Sequence, residues 1–317
     1  MTQEELRKYC KKYFTCESIQ HCIELLDIYA ELFFQTVNNH HYDKVQSHAH
    51  GEAKIILQMM MTKVLTLKNV LLGAEFHSKT GKSLNKIIDP TIIASLIRNI
   101  YETTGMFNLI FRQTKNDDEL KLLYLLWVHA GLSYRQRFDE VSTSVENKEK
   151  AEAEKKQIEE IKKRIEELEL YKQFDEKNKN KIQTKLRQKD YLIKIENNEV
   201  VFLAWKDLVN IMGIKNEKLD HLYTYFSLYS HPSNVSVFQF ANMFEKGKEA
   251  YPDLVIFNLL TAFYLLSIFT ADFINLFPET LKTFEKLNLG DQIVINFHNS
   301  LIRGHEFDIN EAWKATG

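Results

Sequence analysis

Turn-forming residues are scarce in this chain, with 10 glycines and 4 prolines among 317 residues. These two residue types supply the backbone angles of tight turns, so an all-β or α/β fold lacks the turn chemistry it needs. Cysteine is scarcer still. Cys10, Cys16 and Cys22 all lie in the N-terminal segment. An odd number makes no closed disulfide framework, and the even spacing fits no zinc motif, so the three are expected as buried thiols. The opening Met-Thr-Gln-Glu-Glu-Leu-Arg-Lys is charged and helical rather than an export signal, and the expected location is a reducing cytoplasm. An excess of one charge is missing too. The net charge of −2 provides no global field for nucleic acid or anionic lipid, so any nucleic-acid contact needs a local patch.

Motifs for cofactors are also lacking. Gly73–Ser83 ends in Gly-Lys-Ser, but the first glycine of a phosphate-binding loop would fall on Phe76, and a helix rather than a strand precedes it. No cofactor is implied. His40, His41, His48 and His50 share one polar loop, with His77 farther on. No cysteine or carboxylate joins them at a recognised ligand spacing, so no metal site is assigned.

What the chain has in quantity is helical periodicity. Ile19, Cys22, Ile23, Leu26, Ala30, Phe33 and Phe34 form an apolar stripe within residues 4–39. A second long helix covers 52–76, and Phe76–Ile88 reads as a polar connection. Asp89 caps a helix with Pro90 at its first position, running to about Arg112, and a further helix runs from Asp117 or Asp118 to Phe138. Over 143–190 the composition turns to Glu, Lys and Gln. Ile158, Ile161, Ile165 and Leu168 fit a short heptad seam there, which reads as a protruding antiparallel hairpin with a solvated, mixed-charge face. Asn197-Asn198 between β-branched runs predicts a small β-hairpin. Helices follow over Trp205–Met212, Asn216–Ser230, Val235–Lys246 and Pro252–Phe277, with shorter ones to the C-terminus.

The fold class expected is all-α: a multi-helix bundle with a protruding charged helical hairpin and at most one small β-hairpin. Its divisions are N-terminal helices over 1–50, the first half of a core over 51–142, the charged insertion over 143–190, the second half over 191–277 and C-terminal helices over 278–317. Leu254–Ala271 carries no charge and is about long enough to span a bilayer. It holds Asn258, Thr261, Ser267 and Thr270, and Asp253 and Asp272 bracket it without a basic flank. The expectation is a central core helix, not a membrane span.

Two stretches look like chemistry. Tyr223–Asn234 (Tyr-Thr-Tyr-Phe-Ser-Leu-Tyr-Ser-His-Pro-Ser-Asn) begins as a helix and stops at His231, because Pro232 disfavours α geometry in the residue before it. That holds a near-neutral imidazole at a corner among hydroxyls. Arg98 and Glu102 lie four apart on one face of the helix after Asp89, either as a simple surface ion pair or facing a polar pocket that His231 and Ser227 or Ser230 complete. Trp205–Ser230 also has the outline of a helix-turn-helix, but its second helix opens with the acids Glu217 and Asp220, which would repel phosphates.

Together, Ile97-Arg98-Asn99-Ile100-Tyr101-Glu102 and the run from Trp205 through Tyr223, Ser227 and Ser230-His231-Pro232-Ser233 resemble a broad bacterial all-helical domain family of unknown function. That family is distantly similar to the HEPN (higher eukaryotes and prokaryotes nucleotide-binding) domains. The resemblance covers residues 50–275, interrupted by the charged insertion. It implies a helical bundle, often a homodimer, in a phage-defence or toxin system, acting on RNA or a nucleotide as a metal-independent ribonuclease. Active HEPN domains carry an arginine shortly before a histidine on one helix. Here that arginine is absent, so the cation would come from Arg98 on another helix. The implied roles are His231 as general acid or base, Arg98 stabilising a charged phosphorane and Glu102 orienting Arg98. Tyr223, Ser227, Ser230 and Asn234 would hold the substrate. The alternative is a non-catalytic module that binds a protein partner through 143–190.

Overall fold

The computed structural model describes residues 2–138, 144–215, 219, 221–231, 233–242, 244 and 251–316. Side-chain caps that accept the free N–H groups of the first turn set most long helices. Thr2 and Glu5 form a reciprocal capping box on α1 (Gln3–Thr15). Ser18 caps α2 (Ile19–His40), Ser47 caps α3 (His48–Leu71) and Asp89 caps α4 (Pro90–Phe107). Asn116 starts α5 (Asp117–Arg135), and Ser144 starts α6 (Val145–Glu167). The short α7 (Glu169–Gln173) leads to α8 (Glu176–Gln188), capped by Asp175. Then come α9 (Leu208–Ile211), α10 (Leu222–Ser230), α11 (Asn234–Asn242), α12 (Tyr251–Leu276), α13 (Leu281–Phe284) and α14 (Leu289–Arg303).

The chain is therefore all-α, and the strands among the described residues make two antiparallel hairpins. The expected one pairs β3 (Ile193–Glu196) with β4 (Glu199–Phe202). Asn197 and Asn198 take φ of 50° and 66°, the left-handed pair a two-residue hairpin turn requires. The other pairs β1 (Ala74–His77) with β2 (Ser83–Ile87), where the sequence reads as a polar connection. Nearly all of its residues are exposed, so neither face imposes the two-residue apolar alternation that marks a strand in sequence.

The chain divides into two compact units, Met1–Asn108 with Leu208–Gly317, and Leu109–Asp207. In the first, α4 and α12 pack against each other. Further contacts join α12 to α2 and α14, α4 to α3 and α10, and α1 to α14. Gly105 lets α9 approach α4, since a Cβ there would meet Leu208 Cδ1 at 2.7 Å. Helix α12 is long and apolar enough to cross a membrane by length and composition. Much of that surface is spent inside its own unit: Val255, Leu259, Phe263, Leu266 and Phe269 are fully buried.

In the second unit the charged stretch is less free than a protruding hairpin. Ile158, Ile161 and Ile165 are buried, and α6, α7 and α8 all pack on α5. Glu154, also buried, receives Arg135 Nε at 2.9 Å. Helix α8 holds the β3–β4 hairpin, with Val200 N donating to Asn178 Oδ1 at 2.9 Å and Lys181 Nζ to Val200 O at 2.6 Å. An isoleucine seam on a highly charged helix needs a partner to leave water, and α5 of the same unit supplies it.

His298, on α14, is fully buried. Burial pushes its pKa down from 6.5 to about 4, against a smaller raising influence from the Phe14 and Tyr13 backbones. The folded state therefore keeps this imidazole neutral where the unfolded chain protonates it. The resulting stability is fully present above pH 6.5 and is lost as pH falls toward 4, in total about 3 kcal/mol by linkage. Urea unfolding across that window should show the loss, and His298→Leu should flatten the profile. Parallel profiles for the two proteins would assign the acid sensitivity elsewhere.

Candidate functional site

Helix α4 buries Ile93, Ile97, Ile100, Tyr101 and Thr104, which leaves Arg98 and Glu102 at the edge of its packed face. Helix α10 buries Leu222, Phe226 and Tyr229 and so turns Tyr223 toward α4. Arg98 is the hub. Its Nε donates to Glu102 Oε1 at 2.9 Å, and its Nη2 donates to Tyr223 Oη at 2.7 Å. The guanidinium also lies 4.8 Å from the Tyr223 ring centroid, within cation–π range. Nη1 stands 3.4 Å from His231 Nε2. An arginine only donates, so any hydrogen bond in this contact has Nε2 as its acceptor. His231 itself is exposed, while the Arg98 and Glu102 side chains are 19% and 27% exposed.

Helix α10 ends at Ser230, and His231 follows with φ −112° and ψ 141°. That extended backbone is the geometry a residue before proline favours; Pro232 itself lies outside the described residues, as do Glu217, Asp220 and Lys246. The chain re-enters a helix at Asn234. Ser233 Oγ accepts from Ser236 N at 3.2 Å and donates to Leu228 O at 2.6 Å, tying the two sides of the corner together.

Four of the residues chosen from sequence thus meet: Arg98, Glu102, Tyr223 and His231. The other three do not join them. Ser227 Oγ donates to Tyr223 O at 2.6 Å and Ser230 Oγ to Phe226 O at 3.1 Å. Both hydroxyls are bonded back into their own helix, a common fate of serine inside helices. Asn234 is exposed at the start of α11.

Lys63, on α3, was not legible as part of the site. Its Nζ donates to Asn99 Oδ1. Burial lowers its pKa, and the Glu102 carboxylate opposes that shift. Helix α3 meets α4 only through tertiary packing, so no local pattern announces this second cation. Arg98 beside the exposed imidazole of His231, with the Lys63 ammonium near Glu102, favours an anion with several acceptor oxygens.

Among the described residues no three histidines, cysteines or carboxylates gather as a metal would require. The histidine loop is spent locally: His40 meets Asp43 at 2.7 Å and Thr283 Oγ1 at 2.9 Å, and His50 meets Ser47 Oγ at 2.8 Å. The three cysteines are free and buried.

A protein-family model described as a family of unknown function (DUF5677) matches residues 85–249, just over half of the chain, and this stretch contains every site residue chosen from sequence. No curated protein and no solved structure matches the chain.

Proposed function

Since the chain belongs to DUF5677, a family of unknown function, its chemistry has to be read from its own residues, and we propose that Arg98, Glu102, Tyr223 and His231 form the phosphate site of a HEPN-like ribonuclease or nucleotide-cleaving enzyme of a defence or toxin system. The observation that carries this reading is the approach of Arg98 Nη1 to His231 Nε2 at 3.4 Å. It puts a permanent cation on α4 beside an exposed acid–base group just past the end of α10.

A phosphodiester entering between them takes Arg98 Nη1 and releases the lone pair of His231 Nε2. His231 then removes the proton of the ribose 2′-hydroxyl as that oxygen attacks phosphorus. Arg98 balances the charge growing on the non-bridging oxygens. The Tyr223 hydroxyl accepts from Arg98 and keeps its own proton to donate to one of those oxygens. Glu102 holds Nε and so sets the plane of the guanidinium. The bond from phosphorus to the 5′-oxygen breaks, and that oxygen takes the proton back from His231, leaving a cyclic phosphate.

The test is an RNA-cleavage assay that reads the product ends. Wild type should leave cyclic phosphates, and His231→Asn should cut the rate by about a hundredfold or more, the usual worth of a positioned acid–base group. Undiminished cleavage by this variant would remove His231 from the reaction. The alternative, partner docking through 143–190, has less support, because Ile158, Ile161 and Ile165 are already buried within their own unit.

A further inference from the structure

A groove of about 580 Å³ opens on the second unit. One wall is α5, and the other is built from residues 188–192 and 203–205. On α5, Trp127 and Tyr134 stand two turns apart on one face, and the residues between them on that face are Ala130 and Gly131. Two large rings therefore flank two of the smallest side chains, which leaves a slot between the rings. Opposite stand Tyr191 and Trp205, packed edge to face at 6.2 Å.

Gly131 has no structural reason to be glycine. It lies inside a helix, its φ is not positive, and an added Cβ would meet nothing within 4 Å. Glycine weakens a helix interior relative to alanine, so the space above it is kept open at a cost in stability.

The charges at the groove have one sign left over. Asp190 is spent, with its carboxylate accepting from Lys185 Nζ at 2.5 Å, Tyr191 N at 2.7 Å and Leu192 N at 2.9 Å. Lys189 lines the groove. Arg137 lies 4.5 Å from the centroid of the Tyr134 ring. Neither cation has an ion-pair partner among the described residues.

We propose that this groove binds single-stranded nucleic acid, with a base stacked over Gly131 between Trp127 and Tyr134 and the backbone phosphates on Lys189 and Arg137. Aromatic faces give sequence-tolerant stacking, and cations at the rim follow the backbone. An open groove suits a continuous strand better than a single enclosed nucleotide. This binding stands apart from any cleavage at Arg98.

The test uses the full chain and its intrinsic tryptophan fluorescence, since two of its three tryptophans line the groove. Oligouridylate and oligoadenylate should quench it saturably. Gly131→Leu fills the slot and should weaken binding about tenfold or more, the scale of one lost base–aromatic stack, while its melting temperature stays level or rises. Lys189→Asn keeps a residue that tolerates the left-handed backbone found there, φ 58°. It should lower the slope of log K against log salt by about 0.7. Quenching is read independently of any cleavage, so a failure of the cleavage reading is told apart from a failure of this one. The proposal is overturned if neither strand quenches, if Gly131→Leu binds unchanged, if adenosine monophosphate binds as tightly as the oligomer, or if only a proline-rich peptide competes for the groove.

Discussion

Arg303→Met should destabilise the first unit by about 3–5 kcal/mol, the cost of breaking a buried ion pair by removing one member. Arg303 ends α14, where a cation also complements the helix dipole. Its Nη1 and Nη2 donate to the two oxygens of Asp272 on α12 at 2.9 and 3.1 Å. The side chains are 2% and 3% exposed, and the guanidinium lies 4.0 Å from the Phe307 ring centroid. Without arginine, the buried Asp272 carboxylate loses both of these charge-assisted hydrogen bonds. Natural domains have only about 5–15 kcal/mol to lose, so the urea midpoint should fall far or the chain should not accumulate. Combining Arg303→Met with Asp272→Leu should recover part of the loss, because removing both charges removes the desolvation penalty. A double variant no more stable than Arg303→Met would mean that the lost packing on Phe307, not the stranded charge, sets the cost.

Arg98→Ala should have the opposite profile, with a small effect on stability and a large one on activity. Its pair with Glu102 is partly exposed, and such pairs contribute about 1 kcal/mol or less. If the proposed reaction holds, the same arginine meets the charge that develops on the phosphate, and removing such a donor costs about a hundred- to a thousandfold in rate. Arg98→Lys should restore little. A single ammonium cannot hold Glu102, Tyr223 and a phosphate oxygen in one plane. Because Arg98 and His231 act on the same group, the double variant should be scarcely slower than either single one. Rates measured under single-turnover conditions decide this. Multiplicative losses would mean that the two residues work independently, and an unchanged rate in Arg98→Ala would end the catalytic reading.

Much of this was written in local sequence. Asp89 with Pro90 announces the start of α4, and the dipeptide Asn197-Asn198 announces the hairpin turn, because each acts through backbone geometry a few residues away. The corner at His231 is legible for the same reason. The polar face at Arg98 and Glu102 is legible as a four-residue spacing, but its meaning is not, since an isolated ion pair has the same spacing. In the structure Arg98 also reaches Tyr223, and that contact joins residues 125 positions apart. Ser227 and Ser230 were legible only as hydroxyls near the corner: in the structure each donates to a carbonyl one turn back in its own helix, and sequence does not say which bond a hydroxyl chooses. Asp272 reads as the flank that closes an apolar run, whereas the structure buries it against Arg303.

By itself, then, the sequence determined the helical class, most helix starts, the Asn-Asn hairpin and the break at His231, all consequences of forces that act within a turn or two of the chain. Only the tertiary structure decided that Arg98 meets His231 and Tyr223, that Lys63 stands nearby, that the charged insertion has its isoleucines buried in its own unit, and that Trp127, Gly131 and Tyr134 face an open groove. Those outcomes depend on which apolar faces pair, and many alternative pairings bury similar apolar area, so the choice among them is made by packing across distant segments rather than by any one of them.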